Sequence, residues 1–221
     1  MKSKTKYLLA AVFGVLAVLW IVLIKCVDVA AIGPEGTSVG LSHLNRAVFE
    51  LTGVNMLWYD ITDWLGLLAV LAVAVMALLG LIQLIRRKRL LKVDREILCL
   101  GGLYLVIFIL YVFFEKVIVN YRSIIMPGRT APEASFPSSH TMLTCVVLGG
   151  ILLVLDKYVK NKGLCTLLKV LCWLVIIVTV AGRLIAGVHW FTDIVGGLLI
   201  SGALLSLFAG LLPPKETHSE N

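Results

Sequence analysis

Long uncharged apolar runs alternate with short polar stretches along the whole chain. Six runs approach the roughly 20 residues that a helix needs to cross a hydrocarbon core. They lie near 7–24, 64–85, 96–115, 139–155, 166–182 and 191–212. The fourth and fifth are short and call for extension or tilt. The pattern predicts an all-α polytopic membrane protein with six transmembrane helices, a single domain over residues 1–221 with a flexible polar tail over 213–221. No repeat or low-complexity tract interrupts it. The first run has a basic start (Lys2, Lys4, Lys6) like a secretory signal. Its apolar stretch of about 18 residues exceeds the roughly 7–15 of a cleaved signal, so it reads as a retained helix.

The connection over 26–63 is long and too apolar for disorder. Gly33-Pro34 marks a turn, and Leu41, Leu44, Val48 and Leu51 recur at helical spacing. That predicts a short amphipathic helix lying at the membrane surface, either a cap on the bundle or a lid for lipid access. Trp58, Tyr59 and Trp64 read as an interfacial aromatic belt. His43 reads as a surface residue of the short helix.

Composition agrees with the pattern: 60% of the chain is hydrophobic, against roughly half in soluble domains. The net charge is +7, and its placement gives orientation. Lys and Arg gather at the N-terminus, over 85–95, over 156–163 and in the C-terminal tail. Six spans put all four clusters on one side, which the positive-inside bias makes cytoplasmic, together with both termini. The charge therefore calls for no nucleic-acid partner. The five Cys form no CxxC or CxxH pattern, so neither a disulfide framework nor a zinc site is expected.

The opposite, outer side carries the candidate chemistry. The connection over 116–138 holds Arg122 and Arg129 and leads into Pro137-Ser138-Ser139-His140. Pro and Ser suit a helix start, with Ser138 as N-cap and His140 in the first turn, beside free N–H groups that favour anions. Arg183 closes the fifth span, and His189 and Asp193 open the sixth. Four apart, these two are expected to share one helical face. Asp193 would accept from one ring nitrogen and leave the other free to react. Each residue alone has a plainer reading: Arg122 and Arg129 as snorkelling surface charges, His140 as a satisfied helix-start histidine, His189–Asp193 as a structural bond. Together they form a cationic set that would repel itself without an anion, and a phosphate accepts forked guanidinium donors. In a membrane, that phosphate belongs to a lipid. The Arg cluster opposes a metal cation at the His and Asp residues. Small residues at Gly149, Gly150, Gly196, Gly197 and Ser201 allow close packing of the fourth and sixth spans.

These residues resemble the type-2 phosphatidic acid phosphatase family, integral membrane lipid phosphate phosphatases related to vanadium haloperoxidases. The family carries KxxxxxxRP, PSGH and SRxxxxxHxxxD in that order. Here they read as Arg122 with Arg129 and Thr130, Pro137 to His140, and Gly182-Arg183 with His189 and Asp193. Arg122 stands for Lys, Thr130 for Pro, Ser139 for Gly and Gly182 for Ser. The resemblance implies metal-independent hydrolysis of a phosphomonoester or pyrophosphate on a membrane lipid, without a cofactor. His189 would form a phosphohistidine with Asp193 orienting it, and His140 would protonate the leaving oxygen. Arg122, Arg129, Ser139 and Arg183 would hold the phosphate. It also implies a multi-pass protein of a bacterial plasma membrane, working on its outer face. The alternatives are a lipid phosphotransferase and a non-catalytic phospholipid binder or transporter.

Overall fold

The computed structural model describes residues 3–213. Of the predicted tail over 213–221, residues 214–221 lie outside the described residues. Among those described, seven helices run in the order α1 (Ser3–Cys26), α2 (Ser42–Thr52), α3 (Met56–Arg87), α4 (Arg95–Lys116), α5 (Ser139–Tyr158), α6 (Lys162–Ile185) and α7 (Phe191–Leu211). All but α2 are long and apolar enough to cross a membrane, so the six predicted spans are present.

The spans start and stop where local chemistry dictates. Asn55 caps α3 by accepting the Trp58 N–H at 3.2 Å, and Asn161 caps α6 by accepting that of Leu164 at 2.9 Å. The second span begins at Met56 rather than near 64, and the connection before it is correspondingly shorter. Trp58, Tyr59 and Trp64 therefore stand on the first turns of a membrane helix and not in a loop. The amphipathic helix exists as α2, but the face it docks is polar: Ser42 and Asn45 are buried, whereas Leu44 and Leu51 are exposed. Leu41 precedes the helix in the left-handed conformation. His43 is at the surface, 2.7 Å from Asp28.

α5 is the most enclosed span and forms the axis of the bundle, with α3, α6 and α7 around it. Val146, Val147, Met142 and Leu100 lie at the centre of its main apolar core. The small residues meet neighbouring helices. A Cβ on Gly197 of α7 would sit 3.2 Å from Thr141 and 3.3 Å from the Ser138 carbonyl, so α7 lies close against the start of α5. α1 packs along α7, tied by Lys6 Nζ to the Ala209 carbonyl at one end and Trp20 Nε1 to the Thr192 carbonyl near the other. The start of α5, the end of α6, the start of α7 and the start of α3 consequently gather at one end of the bundle. Lys4, Lys6, Arg86 to Arg89, Lys92, Lys157 and Lys162 belong to the other end.

Candidate active site

Backbone pairing carries each segment of the sequence pattern to this end. Tyr121 pairs with Ala134 in an isolated antiparallel bridge, flanked by Arg122 N–H to the Glu133 carbonyl and Ser135 N–H to the Asn120 carbonyl. That short ladder holds Arg122. Ser138 N–H then donates to the Asp193 carbonyl at 3.0 Å, joining the starts of α5 and α7. Ser138 occupies the N-cap position as expected, but its hydroxyl makes no capping bond.

Arg122, Ser139, His140 and His189 line one cavity of about 150 Å³, with Tyr111 and Glu115 of α4 opposite. Arg183 is fully buried beside it, its guanidinium 4.8 Å from the centre of the Tyr59 ring. Arg122 Nε and Nη1, Arg183 Nε and Nη1, and both ring nitrogens of His189 are buried without a hydrogen bond. Buried polar groups in native proteins rarely lack partners, and a cluster of unbonded cationic nitrogens of this kind can take an anion. Arg129 is the exception to the expected set. Its side chain is 66% exposed and paired with Glu133 at 2.9 Å, away from the cavity lining. Glu133 also lies 3.5 Å from Arg122 Nε.

The expected helical face shared by His189 and Asp193 is not how the two meet. α7 begins at Phe191, so His189 stands in the turn before it. Asp193 takes the N3 position, where Oδ2 accepts the Trp190 N–H at 3.0 Å and Oδ1 accepts Asn120 Nδ2 at 3.0 Å. His189 Nδ1 lies 3.7 Å from Oδ2, an ion-pair distance rather than a hydrogen bond. Asn45 Nδ2 and Asn120 Nδ2 both donate to Thr192 Oγ1, at 3.1 and 3.2 Å. The polar face of α2 thus locks the start of α7 through a fully buried amide network. Burial, aided by the Arg122 and Arg183 charges and opposed by Asp193, pushes the His189 imidazole down to about 4.

Sequence reasoning missed Asp63, Asn120 and Asn45. Asp63 Oδ1 lies 3.1 Å from Arg183 Nη2 and 2.9 Å from His140 Nε2. The only available signal was an acidic residue within a membrane span, and the late placement of that span's start hid it. Asn45 and Asn120 carry no spacing that marks them. A second concavity, of about 400 Å³, runs from Ser139 and His140 along α3, α4 and α5. Its walls are Val70, Val73, Ile107, Phe108, Leu143 and Val147.

No curated protein matches the chain. Among solved structures, it is similar to the first transmembrane PAP2 type phosphatidylglycerolphosphate phosphatase from Bacillus subtilis, with a TM-score of 0.64. The two are 16% identical, and the match covers 91% of this chain and 94% of that one, which shows a shared fold. The model of the PAP2 superfamily matches residues 115–215, the stretch that carries Arg122, His140, Arg183, His189 and Asp193.

Proposed function

We propose that this protein is a membrane lipid phosphate phosphatase working through a phosphohistidine on His189. The observation that carries the reading is the set of unbonded buried nitrogens of Arg122 and His189, which line one cavity, and of Arg183, which is in reach of the same Asp63 carboxylate as His140. The adjoining apolar groove supports a lipid: the phosphate would sit among the guanidiniums while its hydrocarbon lies between α3, α4 and α5.

In this reading His189 Nε2 attacks phosphorus, with Nδ1 turned to Asp193. The bond from phosphorus to the lipid oxygen breaks, its electron pair stays on that oxygen, and His140 supplies the proton. Water then attacks the phosphohistidine, gives a proton to His140, and releases phosphate and free His189. Arg122 and Arg183 hold the equatorial oxygens and Ser139 assists, while Arg129 stays paired with Glu133. Their fixed positive charge suits a transfer in which catalysis is mostly positioning and electrostatics, so no metal is required. Phosphatidic acid, phosphatidylglycerol phosphate and polyprenyl pyrophosphate are the substrate candidates. The basic ends of the helices lie opposite the site, which supports an outward-facing cavity and cytoplasmic termini.

The test is phosphate release from a panel of lipid phosphates by purified protein in detergent, with and without a chelator. Wild-type protein should release phosphate in both, and His189→Ala should lose about 10³-fold or more. Full activity in His189→Ala would remove the assigned nucleophile.

A further inference from the structure

Asp63 lies outside every pattern the sequence singles out, yet two close helix approaches bring it, half exposed, against two residues of the site. A Cβ on Gly182 of α6 would lie 2.5 Å from Thr62 Cγ2 and 2.9 Å from Trp58 Cε3, so α6 meets α3 where only hydrogen fits. A Cβ on Gly66 of α3 would lie 2.6 Å from Cδ2 and 3.1 Å from Nε2 of His140, so the imidazole rests directly on the α3 backbone. Asp63 stands between these two points. Its Oδ1 meets Arg183 Nη2 and His140 Nε2 at 3.1 and 2.9 Å. Gly182 is also a position at which this chain departs from the pattern it resembles. A side chain there would push α3, and Asp63 with it, away from α6.

The charged and titratable groups that act on the His140 ring come from every side. They are Asp63 of α3, Arg183 of α6, His189 of the turn before α7 and Arg122 of the segment before α5. Tyr111 and Glu115 of α4 share the cavity. Asp63 is the carboxylate in direct contact with the ring. A histidine that must carry a proton beside two guanidiniums needs such a partner.

We propose that Asp63 is the positioning residue for His140: its carboxylate holds Nε2–H, fixes the tautomer and ring direction, and leaves Nδ1 to exchange the proton with the leaving oxygen. The inference rests on the phosphatase reading above. It makes a second Asp–His pair, with the nitrogens reversed relative to Asp193 and His189. Asp63 neither gives up nor takes a proton in either step. In the first step the proton on His140 Nδ1 goes to the lipid oxygen as its bond to phosphorus breaks and the His189–phosphorus bond forms. In the second, water's oxygen bonds phosphorus, the electron pair of the nitrogen–phosphorus bond returns to His189, and water's proton restores Nδ1–H.

A donated proton matters when the leaving oxygen is basic and matters little when it is a nitrophenolate. The experiment compares kcat/KM, which ends at departure of the leaving group, for a lipid monophosphate and for p-nitrophenyl phosphate. Asp63→Asn keeps the side-chain shape. It should lower the lipid value by about 10²-fold, the low end of general-acid contributions, and leave the aryl value nearly unchanged. Asp63→Glu should recover part of the loss. In a His140→Ala background, adding Asp63→Asn should change neither substrate further. Should Asp63→Asn fail to fold, Gly66→Ala, which displaces the ring from α3, should show the same selective loss. Equal losses on both substrates, or a further loss in the His140→Ala background, would overturn the inference and leave Asp63 a partner of Arg183 alone. Tighter inhibition by inorganic phosphate with an unchanged leaving-group response would overturn it too, since the carboxylate would then merely occupy the anion's place. Wild-type protein that frees phosphate from neither substrate would sink the phosphatase reading itself, a result distinct from an active enzyme indifferent to Asp63→Asn.

Discussion

His189 is enclosed to 4% exposure between two arginines, and that placement determines how it responds to pH. A nucleophilic imidazole must be neutral. Burial and the neighbouring guanidiniums disfavour the imidazolium, so the neutral form persists as pH falls below the ordinary value of 6.5 and is lost only near 4. The acid limb of kcat/KM should therefore lie well below 6.5, once the substrate's own second ionisation near about 6 is divided out. A limb that stays at the ordinary histidine value after that correction would mean that His189 is not held as described. At this scale residue type and spacing marked positions that the fold brings near one another. Arg122, His140, Arg183 and His189 all came to one place. Arg129 did not, because the local pairing of 120–122 with 133–135 puts Glu133 within its reach. Asp63 and Asn120 were illegible because their partners lie far along the chain, 120 residues away for Asp63 and Arg183 and 73 for Asn120 and Asp193.

Hydrophobic runs fixed the existence of every spanning helix, but they placed the start of α3 eight residues late. Asp60 and Asp63 interrupt the apolar window there, and only the caps and tertiary partners show that the helix continues through them. That extension makes α3 part of the site and gives the close contact with α6 at Gly182 its meaning. Gly182→Ser would restore the residue of the resembled pattern, which by sequence alone reads as an improvement. The packing predicts the opposite. A Cβ 2.5 Å from Thr62 Cγ2 must part the two helices, and overpacking of this kind costs about 1–3 kcal/mol. Gly182→Ser should lower the thermal midpoint in detergent and reduce phosphate release. Unchanged stability and activity would show that α3 and α6 are not in the contact described. α2 teaches a related lesson. Its helical periodicity was visible, but the buried face is the one carrying Asn45, because the start of α7 offers it hydrogen-bonding groups beside the Trp190 ring that Phe49 meets.

The whole molecule divides its charge by end. The basic turns after α3 and α5 and the start of α1 lie together, and Arg122, Arg129 and Arg183 lie at the far end, buried or paired with Glu133 and Asp63. Lys and Arg flanking the spans resist translocation, whereas Arg183 is buried within the bundle and Arg122 is held by the pairing of 120–122 with 133–135, so the two groups of charge do not conflict. This makes sidedness testable with a residue already present. Cys26 is exposed at the end of α1, next to Lys25, whose Nζ donates to the Ile118 and Val119 carbonyls of the segment leading to Arg122. A membrane-impermeant maleimide should label Cys26 in intact cells, and Cys26→Ser should abolish that labelling. In the Cys26→Ser background, Arg89→Cys should react only after the membrane is opened. The reverse pattern would put the cavity on the cytoplasmic side and require its lipid to be drawn from the inner leaflet. The groove between α3, α4 and α5 begins at His140, so whichever leaflet meets that end of the bundle is the one from which hydrocarbon can lie against Val70 and Phe108 while its phosphate reaches Arg183.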